Sequence, residues 1–105
     1  MKLAWTLDAR QDRRNIREHI ARENPAAALT LDELFAQKAG RLIDHPEMAR
    51  PGRVAGTREL VVHRNFILVY DIAGDLVRIL RVLHARRQWP LIADMGDQTE
   101  RSPKD

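Results

Sequence analysis

The hydrophobic period changes once along this chain, and that change limits the folds open to it. Between residues 9 and 44 apolar side chains recur at helical spacing. Between residues 58 and 83 they come instead in short runs rich in Val, Ile and Leu, separated by turn residues. Helices followed by a block of strands exclude an all-helical bundle and an alternating α/β sheet.

The first residues do not join either block. In KLAWTL (residues 2–7) Leu3, Trp5 and Leu7 point one way, with Lys2, Ala4 and Thr6 opposite, which predicts a strand. Asp8 then offers a helix N-cap, with Gln11 three residues on as in a capping box. A first helix is predicted from Ala9 to about Glu23, with a thin apolar stripe of Ala9, Ile16 and Ile20. Arg10, Arg13, Arg14 and Arg17 cover much of the rest, and read as a solvated face with local partners such as Glu18 and Glu23.

Asn24-Pro25 ends that helix and starts another, because Pro suits the first position of a helix and not its interior. The second helix, Pro25 to about Asp44, carries a broad apolar face of Ala28, Leu31, Leu34, Phe35, Ala39, Leu42 and Ile43. So short a connection predicts an antiparallel helical hairpin. His45-Pro46 stops the second helix, and residues 46–56, with two Pro and two Gly, read as a loop.

Three strands follow: Arg58–His63, Phe66–Ile72 and Leu76–Leu83, joined by His63-Arg64-Asn65 and Ala73-Gly74-Asp75. The predicted fold is α+β, an N-terminal strand and a helical hairpin packed on a mainly antiparallel four-stranded sheet. At 105 residues the length suits one domain, here residues 1–90. Residues 91–105 read as a polar, flexible tail.

The chain has no Cys, no P-loop, no GxGxxG and no HExxH. His19, His45, His63 and His84 lack ligand-like spacing, so neither metal nor cofactor is expected. The N-terminus lacks the apolar core of a signal peptide, and no apolar run spans a bilayer, so a cytoplasmic protein without membrane contact is expected.

Charge is unevenly placed. Residues 1–49 balance 8 basic against 8 acidic groups, whereas residues 50–90 carry 8 basic and 3 acidic. Of the 18 basic residues in the chain 15 are Arg, the side chain that grips carboxylates and phosphates with a planar fork. A basic half points to an acidic partner. The densest polar cluster is Arg78, Arg81, His84, Arg86, Arg87 and Trp89 around the end of the last strand. Simple alternation puts Arg78 and His84 on one face and Arg81 on the other with Ile79 and Leu83. Arg81, among apolar residues, reads first as the partner of a helix carboxylate, and Trp89 as an aromatic closing the core edge.

The order of elements and several motifs resemble the ParE/RelE superfamily, the toxins of bacterial type II toxin–antitoxin modules. The motifs are W-T-x-x-A-x-x-D (Trp5, Thr6, Ala9, Asp12), then N-I-R-E-H-I-A-x-x-N-P-A-A-A from Asn15. They continue with R-P-G-R-V-x-G-T-R-E-L-V-V-H (Arg50 to His63), Val69-Tyr70, and I-L-R-V-L-H-A-R-R-Q-W-P (Ile79 to Pro90).

The resemblance implies a toxin that arrests growth and a cognate antitoxin whose acidic and apolar C-terminal segment wraps the basic half. Operator DNA would be met only through that antitoxin. The target differs between branches: RelE-like members cleave mRNA on the ribosome, while ParE-like members inhibit DNA gyrase without hydrolytic chemistry. The RelE-like catalytic Arg just before L-V-Y is replaced here by Ile67, and the late catalytic Tyr is missing, since no Tyr follows Tyr70. The resemblance therefore favours gyrase inhibition with no catalytic residue, and Arg58, Arg78, Arg81, Arg86, Arg87 and Trp89 as residues that bind target or antitoxin. The alternative is a ribosome-dependent mRNA endoribonuclease using Arg58, His84 and Arg86. A second alternative is a non-toxic binding module that keeps the fold.

Overall fold

The computed structural model describes residues 1–63 and 65–85. The chain opens with β1 (Lys2–Trp5), forms the hairpin α1 (Leu7–Ala21) and α2 (Pro25–Asp44), and continues as β2 (Arg50–Pro51), β3 (Arg58–His63), β4 (Phe66–Ala73) and β5 (Leu76–His84). The strands make one sheet in the order β1-β5-β4-β3-β2. β1 lies parallel to β5, and every other neighbouring pair is antiparallel. The expected strand, hairpin and meander are all present.

Two boundaries differ from expectation. α1 starts at Leu7, and its cap is Thr6 rather than Asp8: the Thr6 hydroxyl accepts the Ala9 N–H at 3.1 Å. The Thr6 N–H donates to the Ile79 carbonyl at 3.0 Å, so the residue is held at the strand end while it starts the helix. Asp8 then sits in the first helical turn, where a negative charge meets the positive end of the helix dipole. Gln11 donates to Asn15 at 2.9 Å instead of closing a capping box. The second difference is β2, a two-residue strand within the segment read as loop. It pairs Arg50 with Glu59 and Pro51 with Arg58 on the sheet's edge, where a residue without an N–H is tolerated.

α2 behaves as expected. The Asn24 side chain accepts the Ala27 N–H at 3.1 Å and Pro25 occupies the first turn. The hairpin is cross-linked by Asp32 of α2, which takes Arg13 at 3.0 Å and Arg17 at 3.5 Å. Arg13 and Arg17 of the α1 row thus find a carboxylate on the neighbouring helix, where local Glu18 and Glu23 were expected. Arg13 also lies over the Trp5 ring, 4.4 Å from its centroid.

The core lies between the hairpin and one face of the sheet. Ala9, Phe35, Ala39 and Leu42 meet Leu60, Val62, Leu68, Tyr70, Val77, Ile79 and Val82. Ala9 and Ala39 are fully buried, and their small side chains let the helices approach the strands closely. Phe35 meets Phe66 edge-on at 5.7 Å. On the opposite face of the sheet Ile67, Val69 and Leu83 form a second buried cluster.

Strand alternation breaks once in β5. Val69 stands opposite Arg81, but Tyr70 stands opposite Ile79, so Leu80 is an extra residue in a β-bulge. Ile79 therefore faces the helices. Arg78, opposite Asp71, and His84, opposite Phe66, lie on different faces, which corrects the expectation that they share one.

The turn after β2 is tight. The Gly52 N–H donates to the Thr57 carbonyl at 2.8 Å, and a Cβ on Gly52 would collide with the Thr57 hydroxyl and crowd the Thr57 backbone at 3.1 Å. Gly52→Ala should lower unfolding stability by roughly 1–3 kcal/mol. An unchanged urea midpoint would show that the turn relaxes at no cost.

Tyr70 is fully buried and its hydroxyl donates to the Pro46 carbonyl at 2.7 Å. Burial raises the phenol above its ordinary 10.0, against the lowering effects of a backbone hydrogen bond with Ala49 and the charge of Arg58. A raised folded value means the contribution is complete below the unfolded pKa and is lost as pH climbs through the folded one. Tyr70→Phe should cost about 1 kcal/mol near neutrality. Between about pH 9 and about pH 11 the parent should lose more stability than the variant, by parallel denaturation curves.

Candidate functional site

The residues singled out in the sequence do not gather at one point. Arg58 opens β3, and its guanidinium donates to the backbone carbonyls of Ala49 at 2.9 Å and Glu47 at 3.4 Å. Together with Tyr70 on Pro46, this ties the 46–49 segment down onto the sheet. Next to it, Glu59 is 2% exposed. Its carboxylate accepts the Arg53 N–H at 3.0 Å and lies 3.5 Å from the Arg50 guanidinium and 3.8 Å from that of Arg53. A buried carboxylate needs such partners, because desolvating an unpaired charge is costly.

Arg78 grips Asp71 across the β4–β5 pair with two hydrogen bonds, at 2.9 Å and 2.6 Å. That carboxylate raises the Arg78 pKa further above its already high ordinary value. The pair is exposed and water screens it, so its weight in stability is small.

Arg81 has the helix carboxylate that its apolar surroundings called for. Its Nε donates to Asp12 of α1 at 2.8 Å and its Nη2 at 3.2 Å, and the same carboxylate accepts the Val82 N–H at 2.9 Å. Asp12 was visible in the sequence only as a motif position. Two Arg spaced three apart within a predicted strand were the available signal: simple alternation puts one of them on the core face.

His84 is half-buried and meets Phe66 edge-on at 5.3 Å. It lines a cleft of about 570 Å³ between α1 and the end of β5, with Asn15, Ile16, His19, Ile20 and Phe66. The floor of the cleft is apolar and its edges carry imidazole and amide groups, a composition suited to a protein segment or a small ligand. Arg86, Arg87 and Trp89 lie outside the described residues, as does the 91–105 tail. Among the described residues no three His, Asp or Glu side chains are placed to hold a metal.

Arg58 and His84 are far apart for joint chemistry. They stand on strands either side of β4, opposite Tyr70 and Phe66, positions about 13 Å apart along that strand. Ile67 is 2% exposed inside the second cluster. Among the described residues no helix is long and apolar enough to cross a membrane.

Comparison with known proteins fits this layout. The family described as the ParE toxin of the type II toxin–antitoxin system, parDE, matches residues 3–89. The Caulobacter vibrioides toxin RelE2 is 35% identical over 82% of this chain and 97% of its own length. The toxin candidate Y4kP of Sinorhizobium fredii is 36% identical over 87% of this chain and 95% of its own. Among solved structures, a chain of the chromosomal ParDE system from P. aeruginosa superimposes with a TM-score of 0.73 at 27% identity, over 80% of this chain and 95% of that one. A chain of the RelBE2 toxin–antitoxin complex from Mycobacterium tuberculosis gives 0.51 at 25%, over 79% and 88%. The chain belongs to the ParE toxin family of type II toxin–antitoxin systems, within the ParE/RelE superfamily.

Proposed function

We propose that this toxin arrests growth in the cytoplasm by binding DNA gyrase, with no hydrolytic step, and that a cognate antitoxin neutralises it. The separation of Arg58 from His84 carries this reading. Cleaving a phosphodiester requires a general base, a general acid and a charge-stabilising group within hydrogen-bond reach of one phosphate. Here Arg58 is engaged with backbone carbonyls, His84 sits beside α1, and Ile67 puts an apolar side chain where the RNA-cutting branch has its Arg.

The antitoxin would supply an acidic, partly apolar segment that folds as it binds. The cleft between α1 and β5, with Ile16, Ile20 and Phe66 in its walls, offers apolar surface for such a segment. Operator DNA is then reached through the antitoxin, and the toxin needs neither metal nor cofactor.

The second reading, a ribosome-dependent mRNA endoribonuclease, keeps support from the presence of Arg58, His84 and Arg86 in one chain. Purified toxin should block gyrase-driven supercoiling, and its induction should raise a DNA-damage response with transcripts intact. Cleaved transcripts that disappear with His84→Ala would replace this reading with the RNase. Induction without growth arrest would leave only a binding module of the same fold.

A further inference from the structure

β5 reads Leu-Val-Arg-Ile-Leu-Arg-Val-Leu-His, and its two Arg differ in parity. In an unbroken strand Arg78 and Arg81 would face opposite ways, and one guanidinium would enter the helix-side core. The bulge at Leu80 removes that conflict. It puts Val77, Ile79 and Val82 into the main core and Arg78 on the opposite face, while Arg81 pairs opposite Val69.

The bulge is held from one side. β1 stops at Trp5, so beyond Ile79 the outer edge of β5 has no neighbouring strand. Two residues of the turn and first helix stand in for one. The Thr6 N–H donates to the Ile79 carbonyl at 3.0 Å, and the Thr6 hydroxyl donates to the Leu80 carbonyl at 3.0 Å. Nearly two turns of helix further on, the Asp12 carboxylate accepts the Val82 N–H at 2.9 Å and the Arg81 guanidinium at 2.8 Å. Residues 79 to 82 are thus each held by Thr6 or Asp12. Ala9, between those two and fully buried, lets α1 lie close enough for both to reach.

We propose that Thr6 and Asp12 are positioning residues for the target-binding end of the toxin. They lock the β5 bulge, and the bulge sets which face of the sheet carries Arg81, opposite Val69, and which carries His84, opposite Phe66. The proposal rests on the reading that this toxin works by surface contact with gyrase. Closing the open edge of β5 would not by itself need a side chain from α1, because a longer β1 would supply backbone partners there. The lock instead couples the start of α1 to the end of β5, 69 residues apart in the Asp12–Arg81 pair.

The test uses the full chain and two readouts: amide hydrogen exchange at Val82 with cross-strand contacts around the bulge, and the toxin concentration that half-inhibits gyrase. Thr6→Ser keeps the hydroxyl and should match the parent in both. Thr6→Val and Asp12→Ala should speed Val82 exchange at least tenfold and weaken inhibition at least tenfold, while the Phe35–Phe66 contact persists. Faster exchange with undiminished inhibition overturns the positioning role, and unchanged exchange in Asp12→Ala overturns the lock itself. Should Asp12→Ala fail to fold, Asp12→Asn decides, since its uncharged amide loses the ion pair with Arg81 and weakens the acceptor at Val82, unchanged exchange again overturning the lock. Inhibition that then falls as Val82 exchange rises supports the role, and full inhibition with faster exchange overturns it. A parent chain that leaves gyrase untouched defeats the gyrase reading alone, because the exchange measurement needs no target.

Discussion

The carboxylate of Asp12 is where the two halves of the fold depend on each other. It is mostly buried, and it serves one main-chain N–H and one guanidinium of the last strand while belonging to the first helix. Charge-assisted hydrogen bonds of this geometry are about twice as strong as neutral ones. Removing one partner of such a group leaves the other desolvated and unpaired, which costs more than the bond itself is worth. The hydrophobic core asks for Val77, Ile79 and Val82 on one face, which β5 can meet only with an extra residue between Ile79 and Arg81. Asp12, with Thr6, holds the strand at the point where β5 changes phase.

The same logic changes the meaning of the arginine surplus. By sequence the positive charge concentrates in residues 50–90, as if a basic face were reserved for a partner. The structure engages the described Arg of that region internally. Arg50 and Arg53 surround Glu59, Arg58 holds two carbonyls, Arg78 grips Asp71 and Arg81 grips Asp12. Arg10, Arg14, Arg22 and Arg41, from the half with no net charge, make no ion pair among the described residues. Charge summed along a sequence omits the pairing that folding makes, and here ion pairs occupy Arg of both halves.

The fold was legible because its signals are local and periodic. Asn24-Pro25 set the start of α2, and the β-rich runs gave β3, β4 and β5 to within a residue or two. The misses share a cause, which is that tertiary partners decided them. Asp8 and Thr6 are both sound caps by type, and the strand edge at Ile79 and Leu80 selected Thr6. Arg50-Pro51 becomes a strand only because β3 lies beside it. Leu80 bulges because Arg81 has a carboxylate to reach, a fact carried by a residue 69 positions away. The candidate site was less legible still. Arg58, Arg78 and Arg81 were recognised as unusual, yet their carbonyl, Asp71 and Asp12 partners lie on other elements or across a strand pair.

These commitments bear on mechanism. For Arg58 to stabilise a phosphate its guanidinium would have to leave the carbonyls of Glu47 and Ala49, and the segment also held by Tyr70 through Pro46 would lose an anchor. RNA cleavage through Arg58 and His84 would require those contacts to break at each turnover and the two groups to act across about 13 Å of sheet. A toxin that works by contact has no such requirement. Rigid, internally paired side chains suit it, because a surface fixed before binding loses little conformational entropy on meeting its target. The arrangement that weakens the case for catalysis is therefore the one a binding inhibitor would use.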